Sequence, residues 1–165
     1  MLVFIQYIVL FVSLVLTQVL VLNNIQFLGF LNPYIYVLFI LSLPVKFPRW
    51  ATLLLAFGLG ITIDAFANTL GMHAFATVLM AYVMPFITKL IINIEEGSNP
   101  MPSFRTFGLA VYVKYVFLLV FIHHITLFLL ESFGFNNFGL LLLKIILSSA
   151  VSIIIILGIQ SFKKR

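Results

Sequence analysis

Long apolar segments recur along the whole chain and constrain its fold more than any other feature. An α-helix needs about 20 apolar residues to cross the 30 Å hydrocarbon core of a bilayer. Charged residues make up 8% of the 165 residues, against about 25% in a soluble domain. The sequence therefore predicts an all-α, polytopic membrane protein with a single transmembrane domain, a bundle of six helices. The predicted spans are 2–22, 31–45, 51–66, 72–92, 108–130 and 139–162.

The second span, 31–45, is the weakest of the six, because Pro33 and Pro44 bracket a run shorter than 20 residues. Proline suits the first turn of a helix and the position just past its end. The segment is kept as a span because the charges on its two sides differ sharply. Local thinning of the bilayer, or cover from neighbouring helices, accommodates its length.

Basic residues predict the orientation of this bundle. In the six-span arrangement one end carries Lys46, Arg49, Lys89, Arg105, Lys163, Lys164 and Arg165, whereas the opposite connectors, 23–32, 67–71 and 131–138, contain no Lys or Arg. The positive-inside rule then places both termini in the cytoplasm. The net charge of +5 does not indicate nucleic-acid binding, since these residues form no stripe with interleaved aromatics.

Polar positions in the third and fourth spans share a helix face or a turn. Ala56, Gly60 and Asp64 recur at i+4 and so lie on one face. Small residues on such a face let a neighbouring helix approach closely. Gly71 lies at the bend and His73 begins the next helix. Asp64 and His73 are therefore predicted to be neighbours across the turn.

Three further residues are predicted to enter the bundle from the same outer side as Asp64 and His73. They are His124, Glu131 and Lys144, whereas the adjacent His123 is predicted to point elsewhere. A charge left unpaired there would cost about 2.5–3.5 kcal/mol. Asp64 is therefore expected to have a cationic or histidine partner, either Lys144 or His73.

The role of this outer cluster has several interpretations. Asp64 either pairs helices and caps the amides of the turn, or handles protons or ions. A metal site built from Asp64, His73, His124 and Glu131 is chemically allowed, since zinc accepts His and carboxylate ligands, but the spacing matches no recognised motif. No G-x-S-x-G or H-E-x-x-H occurs, and there are no cysteines. No catalytic residue, metal or cofactor is predicted.

Polar side chains also share one face of the first span. Gln6, Ser13 and Thr17 fall at i, i+7 and i+11. Because polar groups are costly in lipid, this face is predicted to point into the bundle.

Three segments together resemble the MreD family, small membrane proteins of the bacterial rod-shape system. They are LNNIQFLGFLNPYIYVLFILSLPVKFPRW (22–50), GLGITIDAFANTLGMHAFATVLMAYVMP (58–85) and FIHHITLFLLESF (121–133). The resemblance runs nearly the full chain. The family's acidic residue of the third helix corresponds to Asp64, and its turn glycine and histidine to Gly71 and His73.

This resemblance implies a non-enzymatic scaffold of lateral peptidoglycan synthesis in the bacterial cytoplasmic membrane. Its expected partners are MreC and, through MreC, the MreB filament, the polymerase RodA and its partner transpeptidase. It also implies a fold similar to the six-helix S-components of energy-coupling-factor vitamin transporters. That likeness leaves a small-molecule-binding transporter subunit as the alternative function.

Overall fold

A computed structural model of the chain describes residues 2–25, 31–92, 98–132 and 137–162. In these ranges the α-helices are α1 (Leu2–Leu20), α2 (Leu38–Leu41), α3 (Arg49–Ala67), α4 (Met72–Ile91), α5 (Phe104–Phe107), α6 (Leu109–Glu131) and α7 (Phe138–Phe162), and no β-strand occurs. Five of these helices, α1, α3, α4, α6 and α7, are long and apolar enough to cross a membrane. The prediction of an all-helical membrane protein is confirmed at this level.

The residues predicted as the second span do not form one helix. Within 31–45, here called the internal segment, only Leu38–Leu41 are α-helical. Residues 33–43 are all buried in the protein. Irregular backbone is tolerated at membrane depth only where protein covers it, because lipid cannot bond its peptide groups. The predicted continuous helix over 31–45 is thus wrong, and an irregular segment passes through the bundle instead.

Gln18 of α1 supplies hydrogen bonds to the backbone at the start of the internal segment. Its Nε2 donates to the Pro33 carbonyl at 3.1 Å, and its Oε1 accepts the Ile35 N–H at 2.9 Å. The same Nε2 lies 2.9 Å from Asn23 Oδ1. One carboxamide therefore bonds the peptide groups on both sides of Tyr34.

Two serines of α7 bond the same stretch from another side. Ser152 Oγ accepts the Tyr34 N–H at 2.9 Å, and Ser148 Oγ accepts the Asn32 N–H at 3.3 Å. Ser148 and Ser152 are fully buried and one helical turn apart. The i+4 serine stripe of α7 thus faces the internal segment and replaces the bonds that a helix would make within itself.

The internal segment leads to one end of the bundle, here called the basic end, which carries Lys46, Arg49, Lys89 and Arg105. There the Val45 N–H bonds to the Pro100 carbonyl at 3.2 Å. Tyr7 of α1 and Gln160 of α7 both reach Ser42, each at 3.4 Å. α1 therefore begins, and α7 ends, at the basic end. The turn between α3 and α4 lies at the opposite end.

Candidate functional site

Asp64, near the end of α3, caps the first turn of α4. Gly71 precedes α4 and provides no side-chain cap of its own. The Asp64 carboxylate takes that place, since its Oδ1 accepts the His73 N–H at 3.1 Å and its Oδ2 accepts the Ala74 N–H at 2.8 Å. A carboxylate at a helix N-terminus is favoured both by the free N–H groups and by the helix dipole. Of the roles left open for Asp64, capping of the turn amides is present in the structure.

His73 is the side-chain partner of Asp64. Its Nδ1 lies 3.0 Å from Asp64 Oδ1 and 3.1 Å from Thr69 Oγ1. The Thr69 hydroxyl donates to the same Asp64 oxygen at 2.5 Å. Within the described ranges, no other acidic side chain has a basic one within 4.0 Å. Of the two partners expected for Asp64, His73 is therefore observed and Lys144 is not.

The turn that brings these side chains together depends on two residues in left-handed conformation. Asn68, with φ 57°, ends α3, and Gly71, with φ 78°, precedes α4. Glycine adopts this conformation without a Cβ penalty, and asparagine tolerates it better than most residues. The predicted position of Gly71 in the bend is observed.

Gly60 allows the start of α4 to pack directly against α3. A Cβ at this position would lie 2.7 Å from the backbone nitrogen of Ala74 and 2.8 Å from the carbonyl oxygen of His73. Both distances are too short for a side-chain carbon. Ala56 and Asp64, one turn before and after it, are also buried. The predicted i+4 packing face on this helix is therefore present.

Tyr34, in the internal segment, contacts all three histidines of the chain. Its ring centroid lies 5.3 Å from that of His73, 5.5 Å from that of His124 and 6.1 Å from that of His123. Because these histidines come from α4 and α6, the tyrosine ring joins two long helices through the internal segment.

Tyr36 lies two residues further along and anchors His123. The Tyr36 hydroxyl lies 2.7 Å from His123 Nε2 and 3.3 Å from Thr77 Oγ1. Both Tyr36 and His123 are 0% exposed. His123 was predicted to point away from the polar residues; instead it is part of the network. Its Nδ1 has no hydrogen-bond partner among the described residues.

His124 is held between α6 and α7. Its Nδ1 lies 2.8 Å from the Val120 carbonyl oxygen, and its Nε2 lies 3.0 Å from Ser152 Oγ. A carbonyl oxygen can only accept, so Nδ1 carries a proton. A hydroxyl beside an imidazole is the arrangement that a serine nucleophile needs. Here both side chains are 0% exposed. Because Ser152 Oγ also accepts the Tyr34 N–H, Ser152 links His124 to the internal segment.

Glu131 and Lys144 lie at the rim of the predicted outer cluster. Both are partly exposed. Glu131 lies close enough to Tyr34 and to Lys144 to interact electrostatically with both. The Lys144 Nζ lies 5.7 Å from the centroid of the Phe128 ring. The Phe128 ring centroid in turn lies 6.1 Å from that of Tyr34, so the rim is linked to the buried histidines through Tyr34.

The described residues contain no group of three or more His, Asp or Glu side chains placed to hold a metal ion. The candidate ligands Asp64, His73 and His124 bond to protein groups instead.

Sequence reasoning missed Gln18, Tyr34 and Tyr36 as members of this network. A carboxamide within an apolar span needs a partner, but α1 carries two, Gln6 and Gln18, and the pattern alone does not show which of them is buried.

A second feature is a groove of about 1450 Å³ between α1, residues 101–105 and the end of α7, here called the α1 groove. Gln6 and Ser13 line it. The face formed by Gln6, Ser13 and Thr17 was predicted to point into the bundle, but all three are exposed, and Leu14 and Gln18 are buried instead. The Gln18 side of α1 is the buried one, because the internal segment offers backbone hydrogen-bond partners to the Gln18 carboxamide.

No protein-family model, curated protein or solved structure matches this chain.

Proposed function

We propose that this chain is a non-enzymatic membrane scaffold of the MreD kind, which binds MreC and, through it, the MreB filament, RodA and its partner transpeptidase during lateral wall growth. The three sequence segments given above support the family. The α1 groove is the structural observation that carries a scaffold function, because an elongated groove beside a membrane helix, with polar side chains in its lining, suits another membrane helix.

The side chains of the α1 groove make it suitable for such a partner. Gln6 and Ser13 are exposed on a helix that is mostly apolar. Among the described residues, the Ser13 hydroxyl bonds only to its own helix, at Leu10 O. Polar side chains on a membrane helix associate with groups on a neighbouring helix by hydrogen bonding. A partner helix in this groove would relieve the exposure of both residues.

The test is capture of MreC from solubilised membranes by the folded, full-length chain. We expect wild-type protein to retain MreC and a Gln6→Leu/Ser13→Leu variant to lose most of it. Thr17→Val is the matched control, because Thr17 is exposed on the same helix but does not line the groove. No capture by folded wild-type protein would contradict the proposal, and depletion that left rod-shaped cells unchanged would count equally against it.

Orientation belongs to the same proposal: the basic end, with both termini, faces the cytoplasm. The chain has no cysteine, so single cysteines report position without background. We expect Leu70→Cys, at a side chain 92% exposed in the α3–α4 turn, to react with an impermeant maleimide from outside the cytoplasmic membrane. Met101→Cys should react only after the membrane is opened. The reverse pattern would overturn the orientation.

A small-molecule-binding transporter subunit is the second candidate. It calls for a co-purifying ligand in an outward cavity lined by Asp64 and His124. These two side chains are 2% and 0% exposed and bond to protein groups, and residues 33–43 of the internal segment are buried in the bundle. These observations favour the scaffold.

A further inference from the structure

A crevice of about 510 Å³ opens at the basic end, between residues 45–53 and the last part of α4. It is separate from the α1 groove and from the buried network around Tyr34. Its volume falls within the range of about 300–1,000 Å³ that is usual for small-molecule sites. Phe47, Met84 and Pro85 contribute to its apolar wall.

The charged side chains that line this crevice are all cations. They are Lys46, Arg49 and Lys89, and no Asp or Glu of the described residues lines it. None of the three has an acidic side chain within 4.0 Å in the described part of the chain. The Arg49 guanidinium carbon lies 5.7 Å from the centroid of the Phe86 ring. Three positive charges therefore surround one opening and are not neutralised by described protein groups.

Exposed apolar side chains continue from the crevice along α3 and α4. Phe86 and Leu90 on α4 are 51% and 82% exposed, and Leu54 on α3 is 63% exposed. Trp50, beside the crevice, is 70% exposed, as suits a residue at the boundary between lipid and water. A ligand that matches this surface has an anionic group for the cations and a hydrocarbon part for the apolar faces.

We propose that this crevice binds an anionic phospholipid, with the phosphate among Lys46, Arg49 and Lys89 and an acyl chain along Phe86 and Leu90. Basic pockets between membrane helices recognise anionic headgroups in this way. A free phosphate would satisfy the cations and leave the apolar surface unused. The proposal is independent of the scaffold function.

Native mass spectrometry of the full-length chain in detergent tests this site. The probes are phosphatidylglycerol, phosphatidylcholine with the same acyl chains, and soluble glycerol phosphate. We expect one phosphatidylglycerol to be retained, phosphatidylcholine to bind at least tenfold more weakly, and glycerol phosphate not to displace the lipid at equal concentration.

Two triple variants distinguish lipid binding at the crevice from a general effect of the protein's net charge. Lys46→Gln/Arg49→Gln/Lys89→Gln removes the three crevice cations and should weaken retention of phosphatidylglycerol by more than tenfold. Arg105→Gln/Lys114→Gln/Lys144→Gln removes three charges at described residues that do not line the crevice and should retain the lipid. If the crevice variant does not fold, Lys89→Gln alone should weaken binding about fivefold, the effect of about 1 kcal/mol for each cation.

Three results would overturn the proposal. The crevice variants could retain phosphatidylglycerol as well as wild-type protein does, or the two triple variants could lose it equally. Displacement by glycerol phosphate at equal concentration would assign the crevice to a soluble phosphate.

Discussion

The backbone N–H of Ala74, on α4, donates to the carboxylate of Asp64, on α3, at 2.8 Å, so a side chain of α3 caps the first turn of α4. Asp64→Asn keeps the shape of the side chain but replaces one acceptor oxygen with a donor. In either orientation that donor would face a backbone N–H, that of His73 or that of Ala74. We expect a loss of about 1–3 kcal/mol in the free energy of unfolding.

This loss should appear as a lower melting temperature of the detergent-solubilised protein. Glu131→Gln is the comparison and should lower it less, since Glu131 is partly exposed and has no ion pair within 4.0 Å among the described residues. Equal melting temperatures for Asp64→Asn and wild type would contradict the capping role.

Gly60 and Gly58 provide a matched pair on the same helix. Gly60→Ala should destabilise the protein by about 1–3 kcal/mol, because the new methyl group collides with the backbone of α4. Gly58→Ala should not, since no atom lies within 4 Å of a Cβ at that position. Thermal unfolding of the two variants, measured side by side, tests this difference in stability. A similar melting temperature for both would show that the α3–α4 contact is not tight at Gly60.

Gln18 and Gln6 provide a second matched pair, on α1. Gln18→Leu leaves Pro33 O and Ile35 N without their partner, and each buried group left unbonded costs about 1–3 kcal/mol. Gln6→Leu should leave stability unchanged, because Gln6 is exposed. Protease resistance in detergent measures the difference. Equal resistance would mean that Gln18 does not hold the internal segment.

Tyr36 and Tyr82 test the contact with His123. Tyr36→Phe removes the hydroxyl that lies 2.7 Å from His123 Nε2. We expect a loss of about 1–3 kcal/mol, since the imidazole nitrogen stays buried. Tyr82→Phe should be neutral, because Tyr82 is 59% exposed. Chemical unfolding of both variants checks this, and a neutral Tyr36→Phe would contradict an anchoring role.

The sequence predicted the long helices and the α3–α4 turn well, because both depend on local patterns. Hydropathy marks α3 and α4, and i+4 spacing alone brought Gly60 and Asp64 to one face. The approach of Asp64 to His73 followed from the short turn between them. These relationships connect residues at most ten positions apart.

The conformation of the internal segment was not predictable in the same way. Residues 31–45 are as apolar as a short span, and hydropathy does not distinguish a lipid-covered helix from an irregular segment covered by protein. The difference is made by hydrogen bonds from distant residues: Ser152 bonds to Tyr34, 118 positions earlier. The same contacts decide that Gln18 is buried while Gln6 and Ser13 are exposed.

The position of the internal segment also sets an order for biosynthesis. Ser148 and Ser152 bond its backbone but are synthesised more than 100 residues after it. Until α7 leaves the ribosome, the peptide groups of Asn32 and Tyr34 lack these native partners. Until then, water or the insertion machinery must supply hydrogen bonds to these peptide groups of the nascent segment. Completion of this fold therefore waits for the synthesis of α7, although the earlier long helices can enter the membrane before it.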